Sequence, residues 1–138
     1  MSSEVNNIQV SVSGLSGRYA SALFDMANDE SILDNVADDL QNVKEMINES
    51  IDLKRMLRSP VISRLDQSKA MQALLLEINA SELTMKFIGV VASNRRLFVL
   101  PEIIKDYLLI LAGRRGEMKA EVFSAKVLTE AQKSRIIS

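Results

Sequence analysis

The residues that enzymes use most often for catalysis are either missing from this chain or poorly placed. The sequence holds no His and no Cys, which excludes thiol nucleophiles, His-based triads and the usual protein ligands of zinc and haem. Asp38 and Asp39 are adjacent, and neighbouring side chains on a helix diverge by about 100°, so they cannot act as a paired acid and base. We therefore predict a protein that is not an enzyme, with no metal and no cofactor.

Two other patterns have the residue types needed to bind anions. The run GLSG at 14–17 contains glycines, but it lacks the Lys and the preceding strand of a phosphate-binding loop. Arg95–Arg96 and Arg114–Arg115 form basic doublets near predicted helix ends, where cations interact favourably with the helix macrodipole. Alternatively, Arg95 or Arg96 pairs with a carboxylate, either within the protein or on a bound partner.

The overall charge argues against a nucleic-acid-binding protein. The formal net charge is −1 and the sequence pI is about 5.5, whereas nucleic-acid modules usually have a net basic face and exposed aromatic residues. We expect no nucleic-acid partner. The alternative that stays open is a helical regulatory or nucleic-acid-associated module that uses the two basic doublets, and its binding would weaken steeply with salt.

The composition predicts a mainly α fold. Apolar residues make up 47% of the 138 residues, and only five Gly and two Pro interrupt them. Frequent Ala, Leu, Met, Glu and Lys favour helix. Aromatic residues are only 4% and Trp is absent, so aliphatic side chains and seven Met must fill the core. Residues 1–15 are predicted to be a flexible polar arm, and residues 16–116 a bundle of six helices.

The first predicted helix has two apolar stripes. Ser16 is its expected N-cap. Its main apolar face repeats at helical spacing and consists of Ala20, Leu23, Phe24 and Ala27. A second, adjacent stripe consists of Tyr19, Ala22 and Met26. A helix with two such stripes contacts more than one neighbour.

The next three helices are also defined by apolar spacing. The second has an apolar side and leaves Asp38 and Asp39 facing solvent. The third must stop at Ser59, because Pro60 disfavours the helical region for the residue before it. The fourth lies within residues 66–79.

The last two helices of the predicted bundle begin with different residues. The fifth covers residues 82–94, and Ser81 is expected to cap it. The sixth has Pro101 in its first turn, where the missing N–H is not needed. We expect it to be the central core helix and to end at Gly113 or Gly116.

After Gly116 the pattern changes. Residues 119–124 alternate between polar and apolar types, which predicts a strand, and Thr129 with Gln132 forms a capping-box pattern that opens another helix. A lone strand and a short helix cannot complete a sheet. We therefore predict that residues 117–138 are the beginning of a small α/β C-terminal domain whose remainder is missing from this chain.

Several motifs taken together resemble one known family. The first helix reads RYASALFDMA, Ser59-Pro60 follows the third helix, and later segments read NRRLFVLPEI and AEVFSAKVL. In this order and spacing they are similar to the delta subunit of F-type ATP synthases, called the oligomycin-sensitivity-conferring protein in mitochondria. The resemblance covers about residues 16–138.

This resemblance implies a fold and a role. The fold is a six-helix N-terminal bundle followed by a smaller C-terminal domain. In the family, one copy per complex sits at the top of the peripheral stalk and joins the catalytic hexamer to the b subunits, so that the hexamer does not turn with the rotor. The subunit supports ATP synthesis coupled to proton transport. It is peripheral, at the cytoplasmic face of the bacterial inner membrane, and associates with the membrane only through the complex.

The resemblance also implies two contacts with partners. The bundle receives the amphipathic N-terminal helix of an alpha subunit in a groove between its first and fifth helices, and the C-terminal domain contacts the b subunits. On matching positions the groove consists of Tyr19, Ala22, Val90, Ala92, Asn94 and Arg96. Family members continue for several tens of residues beyond the position of Ser138, so we expect this chain to keep the alpha-subunit contact more readily than the stalk contact.

Overall fold

The computed structural model describes residues 14–116, and within them the backbone is almost entirely helical. These residues form six α-helices and one short 3-10 helix: α1 Leu15–Asp29, α2 Leu33–Glu49, α3 Ile51–Arg58, α4 Arg64–Glu77, α5 Glu82–Ser93, the 3-10 helix Leu97–Val99 and α6 at 100–116. The predicted mainly α fold with six helices is confirmed. The predicted C-terminal domain at 117–138, and the predicted arm up to residue 13, lie outside the described residues.

Serine side chains cap the N-termini of three of the helices. The hydroxyls of Ser50, Ser63 and Ser81 accept hydrogen bonds from the backbone N–H three residues later, at 3.1, 3.1 and 3.3 Å. Each such cap satisfies an N–H that the helix itself leaves unpaired. The prediction for Ser81 is confirmed.

Ser16 does not cap α1. The helix begins one residue earlier, with Gly14 as its N-cap and no side-chain cap. The Ser16 hydroxyl instead donates to the Asp106 carboxylate at 2.6 Å. Asp106 is only 3% exposed, and a buried carboxylate needs a hydrogen-bond donor. The bond therefore ties the first turn of α1 to α6.

Proline positions mark two boundaries as predicted. Helix α3 ends at Arg58, just before Ser59 and Pro60, and Pro101 lies in the first turn of α6. Gly113 does not end α6, because the helix continues through residue 116, the last described residue. No described glycine has a positive φ, so Gly113 does not adopt the left-handed conformation that stops a helix.

Helix α6 is central to the core, as predicted. Its buried hydrophobic residues are Leu100, Ile103, Ile104, Tyr107 and Leu111, which belong to one core cluster with the inner faces of the other helices. The Tyr107 ring lies against Phe24 of α1, with 5.9 Å between ring centroids. Its hydroxyl donates to the Leu33 carbonyl at 2.8 Å. Burial raises the pKa of Tyr107 to about 12, because the charged phenolate is poorly solvated there.

The prediction that Asp39 faces solvent is wrong. Asp39 is 8% exposed, and its carboxylate accepts from the Ser81 backbone N–H and from the Thr84 hydroxyl, both at 2.8 Å. A carboxylate is favoured at this place because the N-terminus of α5 carries a partial positive charge. Asp39 therefore connects α2 to the start of α5, while its neighbour Asp38 is exposed as predicted.

Candidate partner-binding face between helices α1 and α5

The second apolar stripe of α1 lies at the protein surface. Ala22 and Met26 are exposed, and Tyr19 is partly buried. The main stripe of the same helix is buried in the core. Since the residues of the second stripe are three to four positions apart, they follow one another along one side of the helix. The stripe is therefore apolar surface that the bundle itself does not cover.

Helix α5 provides the other side of this surface. Val90 is 52% exposed, while its neighbour Val91 has no exposed area. Phe87 lies one turn before Val90 and is almost completely buried. The exposed position of Val90 argues against its being a core residue. We call the surface formed by Tyr19, Ala22, Met26, Val90 and Asn94 the α1/α5 face.

Tyr19 joins the two helices of this face. Its ring meets Phe87 edge-on, with centroids 6.1 Å apart and an interplanar angle of 77°, which is a favourable aromatic geometry. Its hydroxyl accepts a hydrogen bond from the Asn94 side-chain amide at 3.0 Å. Tyr19 thus presents one part of its ring to Phe87 and keeps its polar tip at the surface.

The other predicted groove residues are placed differently from one another. Arg96 is exposed near the end of α5 and is available to a partner. Ala92 has no exposed area and has to be removed from the predicted surface. The physical reason is that residues two positions apart on a helix do not share a face, so Val90 and Ala92 cannot both point outward.

Leu15 lies in line with the stripe of α1 that ends at Met26. Leu15 is 41% exposed and Met26 is 40% exposed. The spacing of 15, 19, 22 and 26 is i, i+4, i+7, i+11, which places all four positions on one side of α1. The spacing predicted Met26, whereas Leu15 joins the stripe because α1 begins earlier than expected. The face is therefore about three turns long on α1.

The basic doublets are partly used inside the bundle. Arg95 donates to the carbonyls of Ile62 and Pro60, at 2.7 and 3.2 Å, and so holds the loop between α3 and α4. Arg115 forms an ion pair with Asp34 of α2. One guanidinium of each doublet therefore has a partner within the described residues, and only the Arg115 partner is a carboxylate.

The α1/α5 face carries exposed apolar side chains. The residues of this face are apolar or uncharged, and the exposed cation Arg96 follows two positions after Asn94. Among residues 14–116 no three acidic side chains lie together in a way that could hold a metal ion. Within the same residues, no helix combines the length and the apolar content needed to cross a bilayer. Exposed apolar side chains on two adjoining helices are the kind of surface on which an amphipathic helix can lay its own apolar side.

Comparisons with known proteins agree on one family. The model of the family described as ATP synthase delta (OSCP) subunit matches residues 15–138. ATP synthase subunit delta of Rhodospirillum centenum is 48% identical over 121 residues, which are 88% of this chain and 65% of that protein. The Parvibaculum lavamentivorans subunit is 51% identical over 121 residues, 88% of this chain and 62% of that protein. The Rhodospirillum rubrum subunit is 46% identical over 125 residues, 91% of this chain and 67% of that protein.

Proposed function

Because the chain belongs to the ATP synthase delta (OSCP) subunit family, we propose that it is a non-catalytic stator connector of an F-type ATP synthase. It joins the catalytic sector to the b-subunit stalk, so that the catalytic hexamer does not rotate with the rotor. In this way it supports ATP synthesis coupled to proton transport. One copy acts per complex, as a peripheral protein at the cytoplasmic face of a bacterial inner membrane.

The partner of the α1/α5 face is the amphipathic N-terminal helix of an alpha subunit. The observation that carries this proposal is the exposure of Val90 and Met26, on the two helices that Tyr19 joins. Covering apolar area of this kind stabilises a complex by about 0.8 kcal/mol per buried methylene. The small side chain of Ala22 allows a partner helix to come close to α1, and the exposed guanidinium of Arg96 can pair with a carboxylate on that helix.

The b-subunit contact belongs to the C-terminal part of the protein. The chain spans 65% and 62% of the length of two curated relatives that it matches. Residues 117–138 fall in this region, and our proposal for them is that they begin the domain that meets the b subunits. The contact that residues 14–116 support is the one with the catalytic sector.

The test uses a synthetic peptide with the sequence of an alpha-subunit N-terminus. Added to the isotope-labelled 138-residue chain, it should shift the amide resonances of Tyr19, Ala22, Val90 and Asn94 in nuclear magnetic resonance spectra. If saturating peptide leaves these resonances unchanged, the proposed site is wrong.

A pair of variants separates binding from folding. Val90→Asp places a charge in the apolar face and should weaken peptide binding at least about 100-fold, since an unpaired charge is costly to bury. Leu76 on α4 is 63% exposed and lies outside the face, so Leu76→Asp should leave the affinity unchanged. Circular dichroism should show that both variants keep their helical content.

A further inference from the structure

A concave surface lies on elements that the α1/α5 face does not use. It is a cleft of about 630 Å³ between the end of α2, helix α3 and the start of α6. Its lining includes the buried side chains of Ile47 and Leu57. No residue of the α1/α5 face lines it. We call this surface the α3 cleft.

Three cations of α3 line the cleft. Lys54, Arg55 and Arg58 all contribute to its wall, and all three are exposed. In the part of the chain that the structure describes, the two ion pairs within 4.0 Å are Lys86–Glu82 and Arg115–Asp34. None of the three cations therefore has a described carboxylate partner, and no acidic residue lines the cleft.

The part of the sequence that contains this basic cluster is otherwise acidic. Residues 1–60 contain ten Asp or Glu and five Lys or Arg, and three of those five bases lie in the eight residues of α3. The helix macrodipole accounts for a cation in the last turn, such as Arg55 or Arg58. It does not account for Lys54, which lies in the first half of the helix, or for the apolar residues beside it.

Two exposed apolar side chains accompany the cations. Ile51 is 66% exposed and Phe98 is 51% exposed, and both line the cleft. Aromatic side chains next to Arg are typical of the central, high-energy part of protein interfaces. Together with the apolar floor formed by Ile47 and Leu57, they give the cleft an apolar strip beside a row of positive charges.

We propose that the α3 cleft binds an acidic amphipathic helical segment of another protein. Positions 54 and 58 are four residues apart, and 55 and 58 are three apart, so the cations run along one side of α3. A partner helix with carboxylates at the same spacing would face them and place its apolar side against Ile51 and Phe98. This is a second docking site, independent of the α1/α5 face and of the function proposed for it.

A protein partner fits these observations better than a polyanion. The aliphatic side chain of Ile51 and the apolar floor offer nothing to a phosphate backbone, whereas they match Leu or Ile on an amphipathic helix. The protein as a whole carries a net charge of −1, which gives a long polyanion no general attraction.

The experiment uses a fluorescein-labelled helical peptide built from Glu, Leu and Ala, with Leu at i, i+3, i+4 and i+7. A matched peptide has Lys in place of Glu, and a third probe is single-stranded oligodeoxythymidine. Each is titrated with the full 138-residue chain and followed by fluorescence anisotropy. We expect the Glu peptide to bind at least about ten times more tightly than either of the other probes.

Variants of the chain locate the binding. The double substitution Lys54→Gln with Arg55→Gln, and separately Phe98→Ser, should each weaken binding of the Glu peptide at least about tenfold. Lys69 and Leu76 are exposed residues of α4 outside the cleft, so Lys69→Gln and Leu76→Ser are the matched controls and should have no effect. An unlabelled alpha-subunit peptide, which is proposed to occupy the α1/α5 face, should not displace the Glu peptide.

A second measurement needs no variant and covers the case in which Phe98→Ser fails to fold. With the unmodified chain, the Glu peptide should shift amide resonances of residues 51–58 and 97–100 and leave those of residues 82–90 in place. The proposal is overturned if the Glu peptide does not bind, if the resonances that it shifts belong to residues outside the cleft, or if the cleft substitutions leave its affinity unchanged. It is also overturned if oligodeoxythymidine binds the same residues more tightly, which would make the cleft a polyanion site.

Discussion

The two tyrosines of the chain represent two regions that use the same side chain in different ways. Tyr107 has no exposed area, and its hydroxyl bonds to the Leu33 backbone inside the bundle. Tyr19 is partly exposed, and its hydroxyl meets the side chain of Asn94 at the surface. In the core, a polar group is placed so that helices are held together. On the α1/α5 face, apolar and polar groups remain accessible to a second protein.

Helix α5 shows that one element can belong to both regions. Its inner side has Thr84, Ile88 and Val91, none of which has exposed area. Its outer side has Val90, and Asn94 is its C-cap; both are exposed. Neighbouring positions on one helix can therefore be assigned to stability or to binding by burial alone, and substitutions at such neighbours test the assignment.

The largest expected difference is between Val91→Asp and Val90→Asp. Val91 has no exposed area, so an Asp there buries an unpaired charge and should cost more than about 4 kcal/mol of the free energy of unfolding. Val90→Asp should cost only about 1 kcal/mol, since the charge stays in water near the C-terminus of α5. Urea unfolding followed by circular dichroism measures both. Equal losses would mean that Val90 belongs to the core and that the α1/α5 face is not a free surface.

A smaller difference is expected between Asp39→Ala and Asp38→Ala. The first substitution removes the acceptor of two hydrogen bonds, from the Ser81 N–H and the Thr84 hydroxyl. Each bond to a charged group contributes about 1.5 kcal/mol, so we expect a loss of about 3 kcal/mol in the free energy of unfolding. Asp38 is exposed and should change it by less than about 0.5 kcal/mol. If the two variants unfold at the same urea concentration, Asp39 does not connect α2 to α5.

The sequence predicted the helices better than it predicted polar contacts between them. Apolar spacing along each helix is a local signal, and so are Pro60, Pro101 and the Ser81 cap. The six helices and the central position of α6 could therefore be derived from sequence. The bond between Ser16 and Asp106 joins residues 90 positions apart, and no local pattern indicates it. Asp39 looked like its exposed neighbour for the same reason.

The candidate site was predictable only in part. The second stripe of α1 is visible in the spacing of Tyr19, Ala22 and Met26, and its exposure follows once the main stripe is buried. On α5 the sequence is apolar on nearly every side, so it could not show that Val90 points outward and Ala92 inward. The α3 cleft was not predicted, because Phe98 approaches α3 only through the tertiary fold.

The smallest predicted effect concerns the hydroxyl of Tyr107 and its dependence on pH. Tyr107→Phe removes the hydrogen bond to Leu33 and should lower the free energy of unfolding by about 1 kcal/mol at pH 7. The pKa of Tyr107 is about 12 in the folded protein, against 10.0 for an ordinary tyrosine. Above pH 10 the unfolded chain therefore loses this proton while the folded chain keeps it, so the stabilisation present below pH 10 is lost as the pH rises toward 12. The phenylalanine variant lacks this loss. Urea titrations from pH 8 to 11.5 should therefore show the stability difference between the two proteins shrinking and then changing sign.

Tyr19→Phe is the matched control: its difference from the unsubstituted chain should stay below about 0.5 kcal/mol at pH 7, because the Tyr19 hydroxyl lies at the surface. A constant difference for Tyr107→Phe across this range would show that the buried and exposed tyrosines do not differ in the way the two regions require.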